Sequence, residues 1–367
     1  MDKNIYKLLT PGPLTTTETV KEAMQIDRCT WDEDYKNMTQ EIRTGLLKLA
    51  HADNGDYTTV LMQGSGTFGV ESVLSSVISS TDKVLVLQNG AYSKRMVEMC
   101  DYHGIKYVVY EEDYAHVPDP AIVEDVLKSD GNITHISMVH SETTSGLLND
   151  IAAIGELAKK YNKKFIVDAM SSFGGVDINV PELGITYLVS SANKCIQGVP
   201  GFSFIIAKIS DLKQTKGIAR SLSLDLYAQW ETMEKDGGKW RFTSPTHVLA
   251  AFSQALKELA AEGGITARNA RYTATNRALR KGMEELGFKA YIDEAHQGPI
   301  ITTFFYPENC KFTFAKMYAY LKDHGYVIYP GKLTDAETFR LGNIGEIYMD
   351  DVEKILGIFK DFVSAEN

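Results

Sequence analysis

Residues 60–74 read VLMQGSGTFGVESVL, an apolar run that breaks at Gly64, Gly66 and Gly69 and resumes at helical spacing. A G-x-G-x-x-G loop between a strand and a helix is the signature of a dinucleotide site, with the pyrophosphate on the helix N-terminus. That reading makes a second demand, an acidic residue at the end of the following strand to bind the ribose hydroxyls. The next apolar run, KVLVLQ (83–88), ends in Gln88 followed by Asn89, so the demand is not met. Ser65 and Thr67 place hydroxyl donors on either side of Gly66, and a turn of this kind at a helix N-terminus suits a single phosphate group. Taken alone, the loop is also compatible with a tight strand-to-helix turn that holds no ligand.

From about residue 55 to 210, short β-branched runs alternate with helical patterns: TTVLMQ (58–63), KVLVLQ, KYVVY (106–110), THISMVH (134–140), KKFIVDA (163–169), TYLVSS (186–191) and FSFIIA (202–207). IAAIGELAKKY (151–161), between two of them, is apolar at helical spacing. The alternation predicts an α/β fold with a mostly parallel sheet flanked by helices, which binds its ligand at the carboxyl ends of the strands. Further on, helical patterns over 247–261 and 266–286 precede the strand-like PIITTFFY and YVIYP and a last helix from Asp350. This part reads as a smaller C-terminal α+β domain. The expected division is a large domain over 15–255 and a small one over 256–367.

The 367 residues carry a formal net charge of −10 with no run of lysine or arginine, which argues against nucleic-acid or membrane-surface partners. Small anions stay possible, because one or two local cations can hold an anion inside an acidic protein. The four cysteines, Cys29, Cys100, Cys195 and Cys310, form no C-x-x-C pair and no zinc spacing with histidine. They read as free thiols in a reducing compartment, with no metal site. The N-terminal MDKNIYKLLTPGPL lacks a sustained apolar core, and no run approaches the ~18–20 residues that span a bilayer. The expectation is a soluble, cytoplasmic protein.

Two strand ends then choose among the ligands. VDAMSSFGG places Asp168 at the carboxyl end of an apolar strand, and SSANKCIQGVPGFSF places Lys194 just after the next one. Each has an ordinary explanation alone, as a helix-capping aspartate or an exposed loop lysine. On the ligand edge of one sheet, one strand apart, they point to pyridoxal 5′-phosphate: a lysine to bond its aldehyde and an aspartate to keep its ring nitrogen protonated. The loop at Ser65–Thr67 would then hold the cofactor's phosphate.

These residues stand within a longer resemblance. LLTPGPL, QGSGTFGVE, NGAYSKRM, MVHSETTSG, VDAMSSFGG, SSANKCIQGVPGFSF, RSLSLDLYAQW, KWRFTSPTH and FRLGNIGE follow one another as they do in the class V, fold-type I aminotransferases, over nearly the whole chain. The resemblance implies Lys194 and Asp168 as catalytic residues, and Ser65, Gly66, Thr67 and Asn193 around the cofactor's phosphate. It implies Tyr92 stacked on the ring, Thr143 near the ring hydroxyl and Met170 on the opposite face. It further implies Thr243 reaching the phosphate of a neighbouring subunit in a homodimer, Arg340 clamping the substrate's carboxylate, and residues 1–14 packing near the active site. RSLSLDLYAQW and KWRFTSPTH are similar to the branch that uses 2-aminoethylphosphonate and pyruvate; alanine–glyoxylate or serine–glyoxylate transfer is the alternative. Arg220 is considered as a second cation for the phosphonate.

Overall fold

The computed structural model describes residues 6–366 apart from 309, 332 and 334–336, so the first five residues of the N-terminal segment lie outside the description. The chain opens with strand β1 (Lys7–Leu9), a short helix α1 (Glu18–Glu22) and a long helix α2 (Glu33–Leu49). Strands and helices then alternate: β2 (Tyr57–Gln63), α3 (Gly66–Val77), β3 (Lys83–Gln88), α4 (Ala91–Tyr102), β4 (Lys106–Glu111), α5 (Pro120–Ser129) and β5 (His135–Val139). A small hairpin of β6 (Ser141–Glu142) and β7 (Leu147–Leu148) leads into α6 (Ile151–Lys160), β8 (Lys164–Asp168), β9 (Tyr187–Ser191) and β10 (Phe202–Lys208). The helix starts follow from capping. Asp119 accepts from the Ala121 amide with Pro120 in the first turn of α5, and Asp150 accepts from the amides of Ala152 and Ala153 at α6.

Seven strands form one sheet in the order β2-β10-β9-β8-β5-β3-β4. β4, β3, β5, β8 and β9 are mutually parallel, as the alternation requires; the β-branched residues of β3, β5, β8 and β9 are buried, and those of the edge strand β4 are half-buried. β10 departs from this, running antiparallel to both β9 and β2. Only residues 192–201 connect β9 to β10, too few for a crossover helix, so the chain turns straight back. That short return is the segment that carries Lys194.

After α7 (Ile209–Leu212) and α8 (Leu226–Lys235), helix α9 (Thr246–Glu262) packs on the large sheet's core through Leu249, Phe252 and Leu259. The division expected after residue 255 would cut this helix. We place it at Gly263, the left-handed turn between α9 and α10 (Gly264–Glu285). Beyond it come β11 (Ile301–Phe305), α11 (Phe314–Asp323), β12 (Tyr326–Pro330), β13 (Thr338–Gly342) and α12 (Met349–Glu366). Their core holds Leu279, Phe288, Phe304, Phe339 and Phe359. The small sheet runs β1-β12-β13-β11, so the N-terminal strand pairs with C-terminal residues, Leu8 opposite Val327.

Between the two cores, Arg268 is 1 % exposed, binds Glu262 at 2.6 Å and donates from Nη1 to the carbonyl of Cys195 at 2.7 Å. Removing it strands a buried carbonyl and leaves Glu262 with Arg271 alone. Arg268→Ala is expected to cost on the order of 3–5 kcal/mol, read as a lower urea midpoint, and to loosen the turn next to Lys194.

Candidate active site

The carboxyl ends of the parallel strands deliver the site. β2 ends at the Ser65–Thr67 loop, β3 at the start of α4 with Tyr92, β5 just before Thr143, β8 at Asp168 and β9 just before Asn193 and Lys194. Ser65, Gly66, Thr67, Tyr92, Thr143, Asp168, Met170, Asn193 and Lys194 all line one cavity of about 190 Å³.

Close packing decides which residues can stand here. A Cβ on Gly66 would lie 2.1 Å from Sδ of Met170, so a side chain here would push the Met170 thioether from its place on the cavity wall. Ser65 is the N-cap of α3, yet its side chain makes no capping bond, unlike the aspartates that start α5 and α6. The amides of this helix start are therefore left without a side-chain cap, beside the cavity. Across the cavity, the Asp168 carboxyl is buried, with Oδ1 accepting from the Met170 amide at 2.9 Å. Burial lifts it to about 7, the Met170 bond opposes the rise, and Glu142 nearby adds to it. The Lys194 ammonium donates to the carbonyl of Pro11 at 2.7 Å. A Cβ on Gly12 would meet the Lys194 side chain at 2.6 Å, so the N-terminal segment lies directly on this lysine.

Arg340 and Thr243 stand elsewhere. Arg340, on β13 of the small sheet, is buried outside the cavity wall and donates to the carbonyls of Thr143 and Pro330, each at 3.0 Å. Desolvation lowers its pKa, and Tyr92 opposes this as a hydrogen-bond partner. Thr243 is exposed and does not line its own chain's cavity. Arg220 binds the carbonyls of Ser75 and Ile78 at the far end of α3, away from the cavity, and cannot serve there as a second cation.

Two residues escaped the sequence reading. Arg95 lines the cavity one turn after Tyr92, a spacing visible in NGAYSKRM. Glu142 is fully buried and accepts from the Thr144 hydroxyl at 2.6 Å and the Ser93 amide at 3.3 Å, which caps the start of α4. Its neighbour Thr143 drew the attention, and nothing in the pattern showed that residue 142 points at a helix terminus. Among the described residues no group of histidine, cysteine and acidic side chains could hold a metal ion, and no helix is long and apolar enough to cross a membrane.

The family described as "Aminotransferase class-V" matches residues 28–333. The chain belongs to this family. It is 55 % identical over 362 residues to a 2-aminoethylphosphonate–pyruvate transaminase of Lysinibacillus sphaericus, covering 99 % of this chain and 98 % of that one. It is 54 % identical to a bifunctional phosphonoacetaldehyde hydrolase/aminoethylphosphonate transaminase of Clostridioides difficile, covering 99 % of this chain but spanning only 57 % of that protein. Among solved structures, ureidoglycine–glyoxylate aminotransferase of Bacillus subtilis shares the fold at a TM-score of 0.90 and 22 % identity, over 100 % of this chain and 95 % of that one. In this fold the start of α3, the buried Asp168 carboxyl and the Lys194 amine line one cavity.

The Asp168 carboxyl gives a pH signature. An unfolded aspartate titrates near ~4, and the buried one near 7. Between these values the native state keeps a proton that the unfolded chain has lost, so ligand-free stability falls as pH rises, by up to about 4 kcal/mol. Buried His135 and His140, both lowered by burial to about 4, act with the opposite sign as pH falls. They cancel when ligand-free wild type is compared with Asp168→Asn. Thermal unfolding should show the two equal near pH 4 and the asparagine variant more stable at pH 8; a constant difference would mean that Asp168 does not titrate.

Proposed function

We propose that the protein transfers the amino group of 2-aminoethylphosphonate to pyruvate, giving phosphonoacetaldehyde and L-alanine, with pyridoxal 5′-phosphate as cofactor. One observation carries the cofactor assignment: the uncapped start of α3, the buried Asp168 and Lys194 line the same cavity. The names of relatives about 55 % identical over nearly their full length support the substrate pair over the glyoxylate alternatives.

When bound, the cofactor supplies an aldehyde that captures amines and a protonated ring that draws electrons from the adjacent bonds. Asp168 holds the ring nitrogen's proton, and that cation is the partner its buried carboxyl requires. Ser65, Gly66 and Thr67, with Asn193, hold the phosphate at the start of α3. Tyr92 and Met170 would enclose the ring, and Thr143 would bond its hydroxyl. Nζ of Lys194 would hold the cofactor's aldehyde carbon and, as a free amine, would be the base that takes a proton from the substrate carbon bearing nitrogen. Held within the cavity, this amine needs no diffusional encounter for the transfer. Amine and keto acid occupy the site in turn, which predicts ping-pong kinetics.

Arg340 suits both oxyanions, phosphonate in one half-reaction and carboxylate in the other, because a planar guanidinium presents paired donors. It reaches the cavity edge through Thr143, whose carbonyl it already holds. A homodimer accounts for Thr243. Beside it Phe242 is 51 % exposed, and Phe68 of the glycine loop and Leu222 are 49 % and 76 % exposed. Covering these with a second copy would bring Thr243 to the neighbour's phosphate. The acidic charge and the absence of a basic run support a protein without nucleic-acid or membrane partners, and its four free cysteines suit the cytoplasm.

Borohydride reduction followed by peptide mapping should label Lys194, and a label on another lysine would overturn the assignment. Activity with 2-aminoethylphosphonate, set against alanine and serine as donors, tests the substrate. Arg340→Ala should lose about 2–4 kcal/mol of transition-state binding, roughly 30- to 1,000-fold in kcat/KM, and Arg340→Lys less. Single-turnover measurement of each half-reaction decides the shared clamp: slowing of the pyruvate half alone would assign the phosphonate to another cation.

A further inference from the structure

Arg95 is the cation on the cavity wall that the reaction just described does not use. α4 begins at Ala91, so Tyr92 and Arg95 lie one turn apart on the same face of the helix. The Arg95 guanidinium sits 5.0 Å over the Tyr92 ring, and its Nη1 donates to Oγ1 of Thr67 at 3.4 Å. It therefore spans from the ring-stacking residue to the first turn of α3. Arg95 stands in the second turn of its own helix, where the positive end of the dipole gives a cation no help. It also faces the positive end of α3. Two positive sources are thus directed at one space, and the two buried carboxylates of the site are engaged elsewhere: Glu142 with the amide of Ser93 and the hydroxyl of Thr144, and Asp168, which Arg95 reaches only through its field, with the amide of Met170. The arrangement asks for an anion between Arg95 and the α3 terminus.

We propose that Arg95 is the charge partner of the cofactor's phosphate, closing the cradle formed by Ser65, Gly66 and Thr67. The proposal rests on the pyridoxal 5′-phosphate reading above. Because the same guanidinium lies on Tyr92, it also couples the phosphate's position to the ring that stacks on the cofactor. Its contact with Thr67 places it at the phosphate end, whereas Lys194 lies under Pro11 and Arg340 lies beyond Thr143.

The test compares two ligands that differ only in the phosphate. Pyridoxal 5′-phosphate and pyridoxal are each titrated into the full-length chain freed of cofactor, for wild type, Arg95→Gln and Arg95→Lys. Loss of one charged hydrogen-bond partner corresponds to a weakening of roughly 10- to 150-fold. Arg95→Gln should lose affinity for pyridoxal 5′-phosphate by that factor and keep its pyridoxal affinity within about twofold of wild type. Arg95→Lys, which retains the charge and guards against misfolding, should fall between. Inorganic phosphate should strengthen pyridoxal binding to wild type and not to Arg95→Gln. Equal losses for both ligands would overturn the proposal and make Arg95 a support for Tyr92 alone. Unchanged cofactor affinity with a raised KM for 2-aminoethylphosphonate would overturn it in favour of a substrate contact. Wild type that binds neither ligand would overturn the cofactor reading itself, and this proposal with it.

Discussion

Burial of the Asp168 carboxyl is the constraint from which the surrounding architecture follows, because ionising it among apolar strand ends is costly unless a cation stands against it. Its hydrogen bond from the Met170 amide lowers its pKa only in part, and Glu142 pushes the same way as burial. Lys194 and Arg95 supply positive charge at a distance. The fold thus holds a carboxyl that is satisfied only when something cationic enters the cavity, while the start of α3 is satisfied only by something anionic. A ligand with a protonated ring at one end and a phosphate at the other meets both conditions at once. The two ends are on different elements, so the sheet must hold β8 and α3 in fixed relation, and its buried strands do so.

In the proposed reading the large sheet would supply the cofactor end and the small sheet the substrate end. β1 pairs with β12, and the chain leaving β1 passes directly into Pro11 and Gly12, which touch Lys194. β13 of the same sheet carries Arg340. The segment that touches Lys194 and the strand that carries Arg340 therefore belong to one four-stranded sheet. Arg268 and the buried cluster of Leu14, Cys195, Tyr272 and Ile301 tie that unit to the turn after Lys194. A shift of the small sheet would change the setting of Lys194 and Arg340 together and leave the phosphate cradle in place.

Much of this was legible in the sequence, for physical reasons that differ by element. Strands such as KVLVLQ stand out because burial on both faces selects continuous apolar runs, and Lys83–Gln88 matches residue for residue. The direction of β10 was not legible, since FSFIIA looks the same in either orientation and only the shortness of 192–201 decides it. β1 was hidden because three residues carry no period, and its partner lies more than 300 residues away. The nine cavity residues followed from strand ends and from the resemblance. Arg95 did not, because lysines and arginines on amphipathic helices are mostly solvated, and only the packing of α4 against α3 shows that this one is turned inward.

Arg340 and Asp168 form a complementary pair of exceptions to the rule that buried charges are matched. Arg340 donates to the carbonyls of Thr143 and Pro330, where Arg43, Arg268 and Arg271 each have a carboxylate. Carbonyl oxygens orient a guanidinium without cancelling its charge, so its positive field reaches the cavity edge instead of being spent on a neighbour. The cost falls on stability, and local rules of charge matching are broken where a fold gives up stability for binding. The same logic separates Arg268 from Arg340. One is paired directly with Glu262 and holds the architecture; the other is held by carbonyls with Glu142 acting on it only through its field, and in the proposed reading an oxyanion substrate would bring the direct countercharge.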